Sequence, residues 1–255
     1  MDFKNIVLEQ KGDVSTILIN RPPYNVLNIE TIKEMNEALE LVKRDEAKVV
    51  IVRGKGGKAF IAGVDVGDHT EEKGLEMVEA FTDLMRNLIT VGKPTIAAVE
   101  GICSGGGFEV AMYCDMIVAE ENALFSQPEI NLAVYPGPAI VLLNRKIGRN
   151  KAFEMIITGE SMGAKEAEKL GLVNHLVAKG EMDKALPEFC KKITGKSLVA
   201  LKLTRYAIYK AYDLEFEKAS EWVNDIYVGK VMHTHDFKEG LDSFLEKRKP
   251  VWENR

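Results

Sequence analysis

Ser104-Gly105-Gly106-Gly107-Phe108-Glu109 is the stretch that decides how this chain is read. Just upstream, Pro94-Thr95-Ile96-Ala97-Ala98-Val99 is a short apolar run, the pattern of a strand buried on both faces. Just downstream, residues 108–114 read as a helix. Three glycines allow the backbone to come close to a ligand and to adopt conformations barred to other residues. The first amides of a helix have no internal acceptor, so such a turn suits negative charge. A dinucleotide would require G-x-G-x-x-G spacing, and a nucleoside triphosphate the Walker lysine and hydroxyl; neither is present. An oxyanion, the carbonyl oxygen of a thioester becoming an enolate, remains. So does a glycine turn that serves only close helix–strand packing. Glycine spacing alone does not separate these two.

Working outward, strands and helices alternate. The first residues, Asn5-Ile6-Val7-Leu8-Glu9-Gln10-Lys11-Gly12-Asp13-Val14-Ser15-Thr16-Ile17-Leu18-Ile19-Asn20, hold two short strands around a turn. Arg21-Pro22-Pro23 stops regular structure. Asn28 is placed to cap a helix over 29–44, with Ile32, Met35, Leu39 and Val42 along one face. Residues 48–54 and 115–119 read as further strands, 59–63 as extended, and 75–91 as a helix. Short helices follow around 139–147, 151–158 and 164–170, with 172–177 extended. From about 184 to the end the pattern is wholly helical. This order predicts an α/β core over residues 1–195 and a helical module over 196–255.

The composition bounds the function. The chain has 255 residues, 46% hydrophobic and 29% charged, enough to build a real core. A net charge of −5 gives no basic field for nucleic acid or an anionic membrane. Three cysteines, Cys103, Cys114 and Cys190, are an odd number without metal-ligand spacing and read as buried apolar groups. No apolar run approaches the roughly 20 residues of a membrane span. With no secretory signal in the opening residues, a cytoplasmic location is expected. His69, His175, His233 and His235 form no nucleophile or metal motif and read as solvated.

Two carboxylates carry the chemistry. Glu109 falls in the first helical turn after the glycines, among the apolar Phe108, Val110, Ala111 and Met112. Burial there raises its pKa and suits it to proton transfer. Glu129 follows a short strand in Ser126-Gln127-Pro128-Glu129-Ile130. Taken singly, each reads more simply as a helix-dipole partner or a loop carboxylate. A second glycine turn, Phe60-Ile61-Ala62-Gly63-Val64-Asp65, can supply another backbone donor at Val64.

Together these segments resemble the crotonase superfamily, the enoyl-CoA hydratase/isomerase family, over nearly the whole chain. The likeness runs through Arg21-Pro22-Pro23-Tyr24-Asn25-Val26-Leu27-Asn28, Lys58-Ala59-Phe60-Ile61-Ala62-Gly63-Val64-Asp65, Gly105-Gly106-Gly107-Phe108-Glu109, Cys114-Asp115 and Gln127-Pro128-Glu129. It continues through Gly171-Leu172-Val173-Asn174 to the tail Glu239-Gly240-Leu241-Asp242-Ser243-Phe244-Leu245-Glu246-Lys247. The resemblance implies a crotonase-like spiral of β-β-α units with two roughly perpendicular sheets and a C-terminal helical trimerisation module. It implies an acyl-CoA thioester as ligand, with coenzyme A arriving in the substrate and no other cofactor. Self-association as a trimer or dimer of trimers follows, with no nucleic-acid or membrane partner.

By the same resemblance, Val64 and Gly106 match the oxyanion-hole amides. Pro23, Asn25, Val26, Ala62, Asp65, Val66, Gly105 and Pro136 match substrate- or CoA-binding positions. Phe244 and Lys247 match tail positions that serve a neighbouring subunit's site. Hydratases of the family carry both glutamates, so the expected reaction is syn hydration of a 2-enoyl-CoA, as in fatty-acid β-oxidation. Glu109 is expected to take a proton from the attacking water and Glu129 to protonate Cα. Other reactions on this fold are isomerisation and thioester hydrolysis. The acidic balance and the two glutamates argue against a non-catalytic CoA- or RNA-binding homologue. One segment departs from common short-chain hydratases: Tyr135-Pro136-Gly137-Pro138-Ala139-Ile140-Val141-Leu142-Leu143-Asn144-Arg145 is a residue shorter, more apolar and less flexible. Together with Pro23-Tyr24-Asn25-Val26-Leu27, it is similar to alicyclic dienoyl-CoA hydratases.

Overall fold

The computed structural model describes residues 3–255. The chain opens with the hairpin β1 (Ile6–Lys11) and β2 (Val14–Ile19), then α1 (Ile29–Arg44). Asn28 caps α1 as expected, its side chain accepting from Thr31 N at 3.0 Å. Three strand pairs follow: β3 (Val49–Gly54) with β4 (Ala59–Ile61), then, after α2 (Gly74–Thr90), β5 (Thr95–Val99) with β6 (Ile102–Ser104). After α3 (Gly106–Tyr113) come β7 (Met116–Glu120) and β8 (Leu124–Ser126).

The first member of each pair enters a six-stranded sheet, order β1-β2-β3-β5-β7-β10. The second enters a four-stranded sheet, order β4-β6-β8-β9. Each turn of the chain thus lays one strand in each sheet, which makes the spiral. α4 (Gly137–Ile147), α5 (Arg149–Thr158), β9 (Met162–Gly163), α6 (Ala164–Lys169) and β10 (His175–Val177) close it.

The larger sheet is buried on both faces, as its unbroken apolar strands require. Val50, Val52, Ala97 and Val99 face the main core, with Phe60, Phe108, Phe125 and Leu84. Val49, Ile51, Ile96, Ala98 and Val118 face α7 (Met182–Thr194), which covers them with Met182, Leu186 and Cys190. All three cysteines are buried.

Three helices finish the chain: α8 (Leu198–Ala211), α9 (Phe216–Gly229) and α10 (His235–Leu245). Arg205 latches α8 to the core. It donates to Asp115 Oδ2 at 2.7 Å and to the Leu88 and Ile89 carbonyls, which end α2 without helical partners. The expected helix to the C-terminus stops at Leu245. The last residues run back over the helices because Asp236 accepts from Glu253 N and Asn254 N, both at 2.9 Å. No helix among the described residues is long and apolar enough to cross a membrane.

The glycine turn is the tightest point of the core. A Cβ on Gly107 would stand 2.1 Å from Ile61 O, whereas one on Gly137 would meet nothing within 4 Å. Gly107→Ala is therefore expected to cost about 3 kcal/mol or more, since main chain cannot yield as a side chain does. Gly137→Ala is expected to be neutral or slightly stabilising. Urea denaturation of the two variants checks this; equal midpoints would contradict it.

Candidate active site

Strand register brings the two glutamates together. β6 runs parallel to β8 with Ser104 opposite Ser126. Glu109 follows one strand and Glu129 the other, so both leave the same edge of the small sheet. Ser104 Oγ and Ser126 Oγ lie 2.8 Å apart, and Gly105 N donates to Ser126 O at 2.9 Å. A Cβ on Gly105 would strike Glu129 Oε1 at 2.8 Å, so only glycine leaves room for that carboxylate. β4 pairs with β6 on the other side, which delivers Val64 to the same edge. In parallel sheets the carboxyl ends of the strands are the usual place for a ligand.

The two glycine turns meet. A Cβ on Gly106 would lie 2.5 Å from Val64 Cγ2, so the two residues are in contact only because one lacks a side chain. Leu27 takes the bonds on either side of Val64: Leu27 N donates to Gly63 O at 2.9 Å, and Asp65 N donates to Leu27 O at 2.7 Å. The Val64 N–H between them carries no such bond. Gly106 is the first residue of α3, where an amide has no helical acceptor. The first amide of α3 thus lies beside the Val64 segment.

Glu109 is buried at 4% exposure on α3. Burial pushes its pKa up to about 8; the neighbouring Glu129 charge adds to this, and a bond from Ala139 N at 2.9 Å opposes it. That amide is in the first turn of α4, where it has no helical acceptor, so the start of one helix orients the carboxylate of another. Glu129 lies in a 3-10 turn, Pro128–Leu132. Burial raises it to about 7. Its carboxylate faces the fully buried amide of Gln127. In the orientation that gives both amide atoms complementary partners, the Gln127 nitrogen donates to Glu129 Oε1 at 3.1 Å and Oε2 at 3.0 Å. Gln127 and Ala139 were not among the expected site residues. Their signals lie in burial and in a main-chain amide, neither of which the residue types reveal.

The other expected residues fall in two groups. Asn25, Val26, Ala62, Asp65, Gly105 and Pro136 lie in the segments that frame this edge, with Pro23 and Val66 exposed at the surface. Asn25 is 1% exposed, at φ 55°, and its side chain is fully engaged. It accepts from Arg21 N at 3.2 Å and donates to Lys55 O at 3.0 Å and Ala59 O at 2.9 Å. Its carboxamide therefore holds the loop and has no free atom for a ligand. Phe244 and Lys247 are exposed at the C-terminal end of α10, Phe244 at 81%.

The arrangement is that of an α/β protein with two carboxyls raised by burial, Glu109 and Glu129, beside two glycine turns in contact. The family model described as enoyl-CoA hydratase/isomerase matches residues 9–255, and the chain belongs to that family, the crotonase superfamily. It is 36% identical to a short-chain-enoyl-CoA hydratase of Clostridium acetobutylicum, over 98% of this chain and 97% of that one. It is 34% identical to a crotonyl-CoA hydratase of Syntrophomonas wolfei over 98% of each. Among solved structures, an enoyl-CoA hydratase from Bacillus anthracis superposes with a TM-score of 0.94 at 31% identity, covering 99% of this chain and all of the other.

Two carboxyls raised to about 8 and about 7 share one proton near neutrality. If the singly protonated pair is the active form, kcat/KM follows a bell with its maximum between these values. Stability responds as well. A carboxyl raised by folding favours the native state below its unfolded pKa and loses that contribution as pH climbs through the folded value. Glu109→Gln is thus expected to raise Tm by several degrees at about pH 9 and to change it little at pH 5. A Tm difference independent of pH would contradict the burial of an ionisable Glu109.

Proposed function

We propose that this protein is an enoyl-CoA hydratase that adds water across the double bond of a short 2-enoyl-CoA. The observation that carries this reading is the buried Glu109 and the half-buried Glu129 beside the amides of Val64 and Gly106. In the scheme, water oxygen bonds to Cβ while Glu109 takes its proton. The π electrons of the double bond move toward the thioester, and its oxygen becomes an enolate oxygen held by the two amides. The enolate then takes a proton at Cα from Glu129. The product is a 3-hydroxyacyl-CoA, and the pair ends with its proton on the other glutamate.

Burial raises both carboxyls, so near neutrality the pair can hold the one proton that the scheme needs on Glu129 while Glu109 is ionised. Adding water to a double bond is redox-neutral overall, so the scheme calls for no redox group, and coenzyme A arrives as part of the substrate.

The named relatives support a short linear acyl group. The stiff segment Tyr135-Pro136-Gly137-Pro138, which runs into the amide bonding Glu109, is the reason to include cyclic dienoyl thioesters in any substrate panel. Self-association as a trimer or dimer of trimers belongs to the same proposal. The terminal helices expose Ile208, Phe216, Val228, Leu241 and Phe244, apolar side chains that a neighbouring subunit would cover.

Glu109→Gln and Glu129→Gln, assayed on 2-butenoyl-CoA, are each expected to lower kcat at least 10³-fold, within the range general acid–base groups contribute. KM is expected to change far less, and mass analysis of the wild-type product to show one added water. Full activity in either variant would falsify the scheme.

A further inference from the structure

The Val64 amide is only as well placed as the segment that carries it. Leu27 holds that segment through main-chain bonds, yet Leu27 itself lies between α1 and β2 in no helix or sheet strand. The Asn25 carboxamide and a bond from Ala62 N to Tyr24 O at 3.1 Å hold the middle of residues 21–27. The side chain that joins this segment to the residue after Val64 is Arg21. Its Nη1 donates to Val26 O at 2.7 Å, and its Nη2 donates to Asp65 Oδ2 at 3.0 Å. Asp65 is the residue after the oxyanion donor, and its other oxygen accepts from Gly67 N at 3.1 Å. The remaining acids around Arg21 are engaged elsewhere: Glu30 with Lys4 at 2.9 Å, Asp68 with Lys73 at 3.0 Å and Ile29 N at 2.9 Å. One guanidinium therefore spans the two segments that bracket Val64.

We propose that Arg21 is a positioning residue of the oxyanion hole, holding the Val64 N–H in place on the thioester oxygen through Asp65. This rests on the hydratase reading above and assigns Asp65 to the same clamp, both its oxygens being occupied. Stability alone is a poor reason for the pair. Arg21 and Asp65 are 30% and 36% exposed, and ion pairs in such positions add little to folding. Direction is a better one. An oxyanion donor works only within a narrow distance of the developing charge, so a small displacement of the turn weakens it. A planar guanidinium reaches a carbonyl and a carboxylate at once, which an ammonium cannot.

The test compares wild type with Arg21→Ala, Arg21→Lys, Asp65→Asn and the Arg21→Ala/Asp65→Ala double variant. Four quantities are read: kcat and KM on 2-butenoyl-CoA, Tm, and the red shift of a bound cinnamoyl-CoA carrying a para-dialkylamino group. That probe absorbs at longer wavelength as its carbonyl is polarised. Arg21→Ala is expected to lower kcat about tenfold, less than the 10²–10³-fold loss of a donor removed outright. The red shift shrinks with it, while KM and Tm stay close to wild type. Arg21→Lys falls between, and the double variant is no worse than Arg21→Ala, since the two residues act as one unit. Asp65→Asn, nearly the same shape, gives the same direction of change and decides the matter if Arg21→Ala does not fold. Unchanged kcat and red shift overturn the proposal. So does a rise in KM alone, which would make the pair a CoA contact, or a red shift lost only in step with Tm. If wild type polarises the probe but hydrates nothing, the hydratase reading fails, and the clamp is still judged on the shift.

Discussion

The site depends on how closely the start of α3 can approach the end of β4. Gly106 and Gly107 have no side chains, and a Cβ on either would overlap Val64 or the Ile61 carbonyl. This contact puts a helix N-terminus, with its unbonded amide, beside a loop amide whose neighbours are already bonded to Leu27. The same helix carries Glu109 one turn on. The parallel register of β6 and β8 then brings in Glu129. Any residue larger than glycine at these two positions would separate the amides and move the carboxylate with them.

The second constraint is electrostatic. Holding Glu109 at a pKa of about 8 rather than 4.5 costs on the order of 5 kcal/mol for the ionised form. That is comparable with the whole net stability of a typical domain, so the surrounding core must support it. The bond from Ala139 N limits the cost without removing it, and for Glu129 its own main-chain amide does so. A group that destabilises the fold where it sits, yet is held by oriented donors, is the usual mark of a functional position. Arg21 and Asp65 extend the same logic outward, from donors that orient charge to a clamp that orients a donor.

Much of this was legible in the residues. The alternation of apolar runs with helical periodicity marked β3, β5, β7, α1 and α2 to within a residue or two at their ends. Asn28 announced its helix, and the glycine turn announced the site. The pattern predicts a short strand at 123–125, within a residue of β8, but residue patterns did not reveal the three-residue β6 or the two-residue β9, which are too short to show a period. Without β6 the small sheet has no middle, so the convergence of Val64, Gly106, Glu109 and Glu129 came from resemblance rather than pattern. Nor does residue type tell that the Asn25 carboxamide is fully engaged inside its own loop, or that the final residues turn back onto Asp236. Both depend on partners far along the chain.

The central claim is that the carboxylate pair and the two amides direct water to Cβ of an intact enoyl thioester. The most direct measurement is a brief incubation with 2-butenoyl-CoA in water enriched in ¹⁸O, followed by mass spectrometry with fragmentation of the product. The account predicts one heavy oxygen, located at C3 of a 3-hydroxybutanoyl thioester still joined to coenzyme A. Heavy oxygen in a free carboxylate, or an unlabelled double-bond isomer, would contradict it.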